Sequence, residues 1–484
     1  MDDILGGGLT TNRVYLVEGT PGTGKTTLAL QFLLEGARHG ERGLYITLSE
    51  TSSELHSVAA SHGWSLEKLS LFELVNDLGF DPDSEQSILH PSEMELGETT
   101  KSVMREVDAQ APVRIVFDSL SEMRLLAQNP LRYRRQILAL KHYFASRTCT
   151  VLLLDDKTSD PGDQQLHSVA HGVISLEQIA QEFGAERRRL RVIKMRGIKF
   201  RGGFHDFVLE TGGIRVFPRL VAAEHRRNFE TAISPTGSVG LDQLLGGGLV
   251  PGTSTLISGP SGIGKTTTAI RCVLTALERG QSAAYYLFDE GMGTLITRCT
   301  ALGMDIRPYI ESGQLTVHHI DPAELAPGEF THMLRCAIEN DGATFVVIDS
   351  LNAYLQAMPG EKFLLLQMHE MLTYLSQQGV TTLLVLGQHG VIGDMHSDVD
   401  LSYLSDATMS FRFFEANGRI RTAVFVIKSR TNDHQRTMHE FRLSTQHGIQ
   451  VGDALENFEG ILTGLPTYRG TTKMIGPGNE HNGA

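Results

Sequence analysis

Two stretches carry residues able to handle a phosphoanhydride, "GTPGTGKT" at 19–26 and "GPSGIGKT" at 259–266. Both satisfy G-x-x-x-x-G-K-[ST], whose glycines let backbone N–H groups curl around phosphates. Gly22, Thr23 and Gly24 in the first loop, and Gly262, Ile263 and Gly264 in the second, form that curl. Lys25 and Lys265 then reach the β and γ oxygens, Thr26 and Thr266 ligate Mg²⁺, and Thr27 and Thr267 continue into a helix. That helix offers its positive N-terminal end to the anion. An unrelated Gly-rich turn is the rival reading, but each match lies between an apolar run and a helical pattern, and the pair repeats in register.

A cation at such a site needs a carboxylate at the tip of a neighbouring strand. Asp118 in "RIVFDS" and Asp349 in "FVVIDS" meet that description, each followed by Ser and Leu. A second carboxylate must position an attacking water. The run after the loop helix ends in Ser49–Glu50 in one place and Asp289–Glu290 in the other. Asp289 also counts among the candidate metal ligands. "SETSSEL" reads equally as helix-capping chemistry. Residues 187–201, "RRRLRVIKMRGIKFR", hold eight basic side chains, ordinarily a solvated strand face. Lys194 and Arg196 alternate there, and Lys428 and Arg430 recur at the matching place. Cations repeated along with the phosphate loop suit charge stabilisation of a transferring phosphate, across a subunit boundary. No N-K-x-D guanine-reading motif occurs, which favours ATP.

The elements that must hold these residues are themselves duplicated. Residues 1–27 align without gaps to 241–267, and "VRIVFDSL" at 113–120 matches "TFVVIDSL" at 344–351. A period near 235 residues is too long for a solenoid and marks two copies of one domain. In each copy short apolar runs alternate with amphipathic helices, which implies an α/β fold with a mostly parallel sheet flanked by helices. "LRVIKMRGIKF" and "HDFVLETGGIRVF" read as later antiparallel strands closing the sheet. The expected layout is a first domain over 1–217, a linker at 218–233, a second domain over 234–460 and a flexible tail at 461–484.

Composition agrees with a globular protein: of 484 residues, 41% are hydrophobic and 20% charged. No apolar run reaches the length of a membrane span. The four cysteines include no C-x-x-C pair and read as thiols of a reducing compartment, so a cytoplasmic location is expected. A net charge of −13 disfavours a chain that coats nucleic acid.

These residues resemble the circadian clock ATPase family typified by KaiC, within the wider RecA-like group. The likeness spans nearly the whole chain and rests on the "GGGL" turns, both phosphate loops, both "DSL" strand ends and "RRRLRVIKMRG". It implies two tandem RecA-like P-loop NTPase domains, ATP and Mg²⁺ as cofactors, and a homo-hexamer of two stacked rings with ATP between subunits. Lys194 and Arg196, and Lys428 and Arg430, would then reach the nucleotide of the next subunit. It further implies slow ATP hydrolysis in the first copy and Ser/Thr autophosphorylation in the second. Regulators of KaiB type or two-component signalling proteins are the implied partners.

Several positions depart from the family pattern. The adjacent glutamates expected there become Ser49–Glu50, while Asp289–Glu290 keeps two carboxylates. The phosphoacceptor pair falls on Ser402–Tyr403, leaving Ser402, with Ser397 and Ser405 as neighbours. The opening motif before Asp2 is shorter than usual, consistent with an alternative start, and the tail is short and Gly-rich. A DNA-handling RecA-like ATPase is the first rival. Its channel loops should be basic, yet 155–172 holds four Asp against one Lys, and 387–406 holds four Asp and no Lys or Arg. The second rival is a scaffold whose nucleotides only hold a ring together; the missing carboxylate at Ser49 favours it for the first copy.

Overall fold

The protein is described from a computed structural model that covers residues 1–74, 91–127, 129–157, 164–181, 184–356, 364–388, 403–416, 418–445, 448–462 and 466–469. The chain divides into two compact units, Met1–Arg219 and Leu220–Ala484. Each is built on a nine-stranded sheet with the same strand order. In the first unit the strands are β1 (Val14–Gly19), β2 (Gly43–Thr47), β3 (Leu69–Glu73), β4 (Arg114–Asp118), β5 (Thr150–Asp156), β6 (Gly172–Ile179), β7 (Arg187–Met195), β8 (His205–Glu210) and β9 (Gly213–Phe217). They lie in the order β3-β2-β4-β5-β1-β6-β7-β8-β9. Strands β3 through β6 in that order pair parallel, and β6 to β9 pair antiparallel.

The second unit repeats this with β10 (Ser254–Gly259), β11 (Ala283–Leu287), β12 (Leu315–His319), β13 (Phe345–Asp349), β14 (Thr381–Gly387), β15 (Ala407–Ala416), β16 (Arg419–Ser429), β17 (His439–Ser444) and β18 (Gly448–Ala454). These are two tandem RecA-like domains, and the later antiparallel strands close each sheet as the sequence pattern implies.

The central strands are apolar on both faces because helices cover both. On β1, Val14 and Leu16 enter one core cluster while Tyr15 and Val17 enter the other. On β13, Phe345 and Val347 divide from Val346 and Ile348 in the same way. Parallel pairing has a direct consequence for chemistry. It lines up the carboxyl ends of β2, β4, β5 and β1 along one rim, where ligands bind in open α/β sheets.

Parts of the stretches read as linker and tail are packed. Leu220 and Ala222 are buried in the second unit's core. Ile461 is buried beside Phe414, and Thr467–Tyr468 pairs with Phe458–Glu459, with the Phe458 and Tyr468 rings 5.0 Å apart. Burial of Ile461 and the pairing of these two short strands thus carry the packed structure past residue 460. Among the described residues no helix is long and apolar enough to cross a membrane.

Candidate active site: two phosphate loops on equivalent sheet rims

In the first unit the loop leaves β1 at Gly19 and enters the helix Lys25–Arg38. Gly22 and Gly24 have φ of 83° and 93°, a left-handed conformation that L side chains resist. A Cβ on Gly24 would lie 3.1 Å from Leu209, so the curl is also sterically enforced. No side chain caps the helix, which leaves its first N–H groups directed at the loop's concavity. Lys25 is buried; its Nζ donates to the carbonyls of Gly19 at 2.8 Å and Thr20 at 3.1 Å and pairs with Asp156 at 2.8 Å. Thr23 is fully buried and its hydroxyl donates to Thr20, so only its backbone faces the loop. Thr27 engages His62 at 3.3 Å.

The second loop repeats the geometry. Gly262 and Gly264 have φ of 76° and 107°, and a Cβ on Gly264 would meet Leu443 at 2.6 Å. Ile263 is a core residue, and Thr267 is buried. Lys265 donates to Pro260 at 2.9 Å. Burial lowers its pKa, partly opposed by Asp349 and Asp289. A cleft of about 530 Å³ is lined by this loop with Asp289, Glu290, Arg298, Asp349 and Gln388. A cavity of about 550 Å³ in the first unit lies instead against the far part of the loop helix, around Met1, Phe32 and Trp64.

Both strand-end aspartates sit beside their loops, buried, and burial raises the pKa of each. Each is held by a tyrosine from the next strand: Tyr45 donates to Asp118 at 2.5 Å and Tyr285 donates to Asp349 at 2.7 Å. Thr266 lies near enough to Asp349 to oppose that rise, and Thr26 acts on Tyr45 in the same sense. The tyrosines were legible as a repeated position 240 residues apart but carried no chemical signature of their own.

Capping of the helix Ser52–Ser61 belongs to Thr51 and Glu54, which form a reciprocal capping box. Glu50 takes no part in it. Its Oε2 is buried without a hydrogen-bond partner, and burial with nearby Asp118 pushes its pKa up to about 7. Glu290 likewise keeps an unpartnered buried Oε1, while its Oε2 pairs with Arg298 at 2.8 Å. Ser350 donates to Asp289 Oδ2. Ser49 is exposed at the position equivalent to Asp289.

The basic residues do not join the loop of their own unit. Lys194 pairs in register with Val173 and Met195 with Gly172, and Gly172 in turn lies beside Tyr15 near the start of β1. That is the sheet end opposite the phosphate loop. Lys194 donates to the carbonyls of His167 and Ala170, and Arg196 donates to Ser168 at 3.0 Å. Lys428 pairs with Thr408 in the equivalent place, and Arg430 donates to Tyr403 at 3.1 Å. Ser402 and Ser397 lie outside the described residues. Ser405 is fully buried and hydrogen-bonded to Thr408 at 3.1 Å, which withdraws it from the surface.

The donor set fits a nucleoside triphosphate with its cation: a glycine curl that a Cβ would fill, uncapped helix ends, one lysine, one threonine and a buried Asp. Among the described residues no group of three or more His, Cys, Asp or Glu is placed to hold a metal by itself.

Sequence comparison agrees with this geometry. The chain is 25% identical to circadian clock oscillator protein KaiC of Acaryochloris marina, over 96% of this chain and 90% of that protein. It is 26% identical to the KaiC of Synechococcus elongatus, over 96% and 90%. Circadian clock protein KaiC3 of Synechocystis is 24% identical, over 98% and 94%. The profile of the KaiC ATPase family matches residues 1–221 and again 234–456, which is most of the chain, so the chain belongs to the KaiC ATPase family.

Proposed function

We propose that the protein binds Mg·ATP at both phosphate loops, hydrolyses it, and in the second unit transfers the γ-phosphate to a serine of its own chain. The observation that carries this reading is that each unit sets, in the region of its loop lysine, a carboxylate oxygen that is buried and has no hydrogen-bond partner, on Glu50 and on Glu290. A buried acceptor beside the phosphate loop is suited to hold one water, or one hydroxyl, in line for attack.

In the proposed reaction an oxygen of that water bonds to the γ-phosphorus as the bond to the β-bridging oxygen breaks. Its proton passes to the glutamate and ADP leaves. Transfer to protein follows the same course with a serine hydroxyl in place of water, Ser402 being the candidate. Lys25 and Lys265 hold the β and γ oxygens; Gly22, Gly24, Gly262 and Gly264 let the backbone N–H groups converge on them. Mg²⁺ would be held by Thr26 with Asp118, and by Thr266 with Asp349 and Asp289, and supplies charge neutralisation between the β and γ groups.

Lys194, Arg196, Lys428 and Arg430 would act on the nucleotide of a neighbouring subunit, in a homo-hexamer. Their place at the sheet end remote from their own loops supports that reading, since they have no route to the phosphates they would serve in cis. A ring-shaped signalling or clock-type ATPase follows, with regulators of KaiB type or two-component proteins as partners. Incubation with γ-labelled ATP should release phosphate and label the 387–410 peptide. An unmodified peptide after long incubation, with phosphate still released, removes the kinase half of the proposal. No phosphate release with ATP still bound replaces the whole reading with a scaffold.

A further inference from the structure

The two phosphate loops differ in what faces their lysine. In the first unit, β5 pairs with β1 so that Asp156 lies opposite Gly19. Its carboxylate reaches Lys25 Nζ at 2.8 Å while accepting from Ser121 at 3.1 Å. In the second unit the identical register puts Gly387 opposite Gly259. There Asn352, which corresponds to Ser121, bonds both the carbonyl of Gly387 at 2.9 Å and its N–H at 2.7 Å. The second lysine therefore has no strand-borne carboxylate at this place.

The surroundings accentuate the contrast. Arg298 pairs with Glu290 in the second unit, and its counterpart in the first is the apolar Val58. Around Lys25 stand Glu50, Asp118 and Asp156; around Lys265 stand Asp289, Glu290 and Asp349 with Arg298. The lysine of such a loop normally meets the β and γ oxygens. A γ-phosphate arriving at Lys25 must displace Asp156 from its ion pair and then lie next to the displaced charge. A diphosphate brings less negative charge to that point.

We propose that Asp156 sets nucleotide preference in the first unit: by occupying Lys25 it competes with the γ-phosphate, so this site favours a nucleoside diphosphate, whereas the second, with Gly387, favours the triphosphate. This rests on both loops being nucleotide sites. It makes the first unit a site that holds product and releases it slowly, and the second a site where ATP meets no carboxylate at this strand position. The carboxylate is 35% exposed, so solvent screens the effect. Removing one like charge at contact range then changes ATP affinity by about tenfold.

The test uses the full chain with one loop silenced. In the Lys265→Ala background, equilibrium dialysis with labelled MgATP and MgADP measures the first site before and after Asp156→Asn. Expected is a gain of about tenfold in ATP affinity with ADP affinity changed less than about threefold. The reciprocal variant Gly387→Asp, in the Lys25→Ala background, should weaken ATP at the second site by a similar factor. Gly387 has no positive φ, and a Cβ there would make only an ordinary contact, 3.4 Å from Asn352, so the backbone accepts a side chain at this position. The reciprocal variant also keeps the test open should Asp156→Asn fail to fold. Equal shifts for both nucleotides, or none, overturn the proposal while leaving both loops as nucleotide sites. No binding of either nucleotide to Lys265→Ala, with or without Asp156→Asn, overturns it together with the reading of the first loop.

Discussion

Tyr285 donates its phenolic hydrogen to Asp349 at 2.7 Å, and Tyr45 makes the same bond to Asp118 in the other unit. Each tyrosine is buried on the strand next to the aspartate's own, so the bond fixes which way the carboxylate faces. Tyr285→Phe removes that restraint and keeps the ring. A hydrogen bond to a charged group contributes about 1.5–3 kcal/mol, so kcat of the second site should fall about tenfold. Phosphate release in the Lys25→Ala background measures it, and an unchanged KM would place the effect on positioning of the carboxylate.

Glu50 gives the first site a pH dependence. With its pKa near 7 the carboxyl is largely protonated in mild acid, and a protonated acid cannot accept a water proton. Hydrolysis by Lys265→Ala chains should therefore rise as pH rises through about 7, and Glu50→Gln should abolish that limb. Stability runs the other way. The folded state binds the Glu50 proton more tightly than the unfolded one, whose value is near 4.5, so its contribution to stability falls between about pH 4.5 and 7. Glu50→Gln should accordingly raise Tm more at pH 8 than at pH 4.5.

The glycine curls should tolerate no side chain. Gly264→Ala combines φ of 107° with a Cβ 2.6 Å from Leu443, and Gly24→Ala combines φ of 93° with a looser 3.1 Å approach to Leu209. The left-handed backbone alone costs about 1–2 kcal/mol. Chemical denaturation should show Gly264→Ala as the more destabilised of the two, and each should lose nucleotide at its own site.

Action across subunits has a complementation signature. Arg196→Ala and Lys25→Ala should each silence the first site in a uniform assembly. Mixed, they should recover part of the activity, because some interfaces then join an intact loop to an intact arginine. No recovery on mixing, with subunit exchange verified by labelled chains, contradicts action in trans.

Much of this architecture was readable from residue order because it is written in local runs. Both phosphate loops, both strand-end aspartates and the alternation of strands with helices each occupy fewer than about twenty consecutive positions. What escaped notice depends on register between distant strands. Asp156 figured only as one charge in an acidic stretch; the pairing of β5 with β1 brings it to Lys25, 131 positions away in sequence. Tyr45 reads as an ordinary strand residue; its partner on β4 is Val116, and its hydroxyl reaches on to Asp118. Arg298 sits on a helix whose first-unit counterpart carries Val58, so the repeat itself hid it. The capping ambiguity at Glu50 could be resolved only by side-chain geometry, since Thr51 and Glu54 satisfy the cap without it.

The most direct test of the central claim is parallel measurement of released phosphate and of protein-bound label from γ-labelled ATP, in wild type, Lys25→Ala and Lys265→Ala. Expected are phosphate release from wild type and, more weakly, from each variant, with labelled protein wherever Lys265 is intact and none in Lys265→Ala. Label persisting in Lys265→Ala, or no phosphate released by wild type with ATP bound, would contradict it.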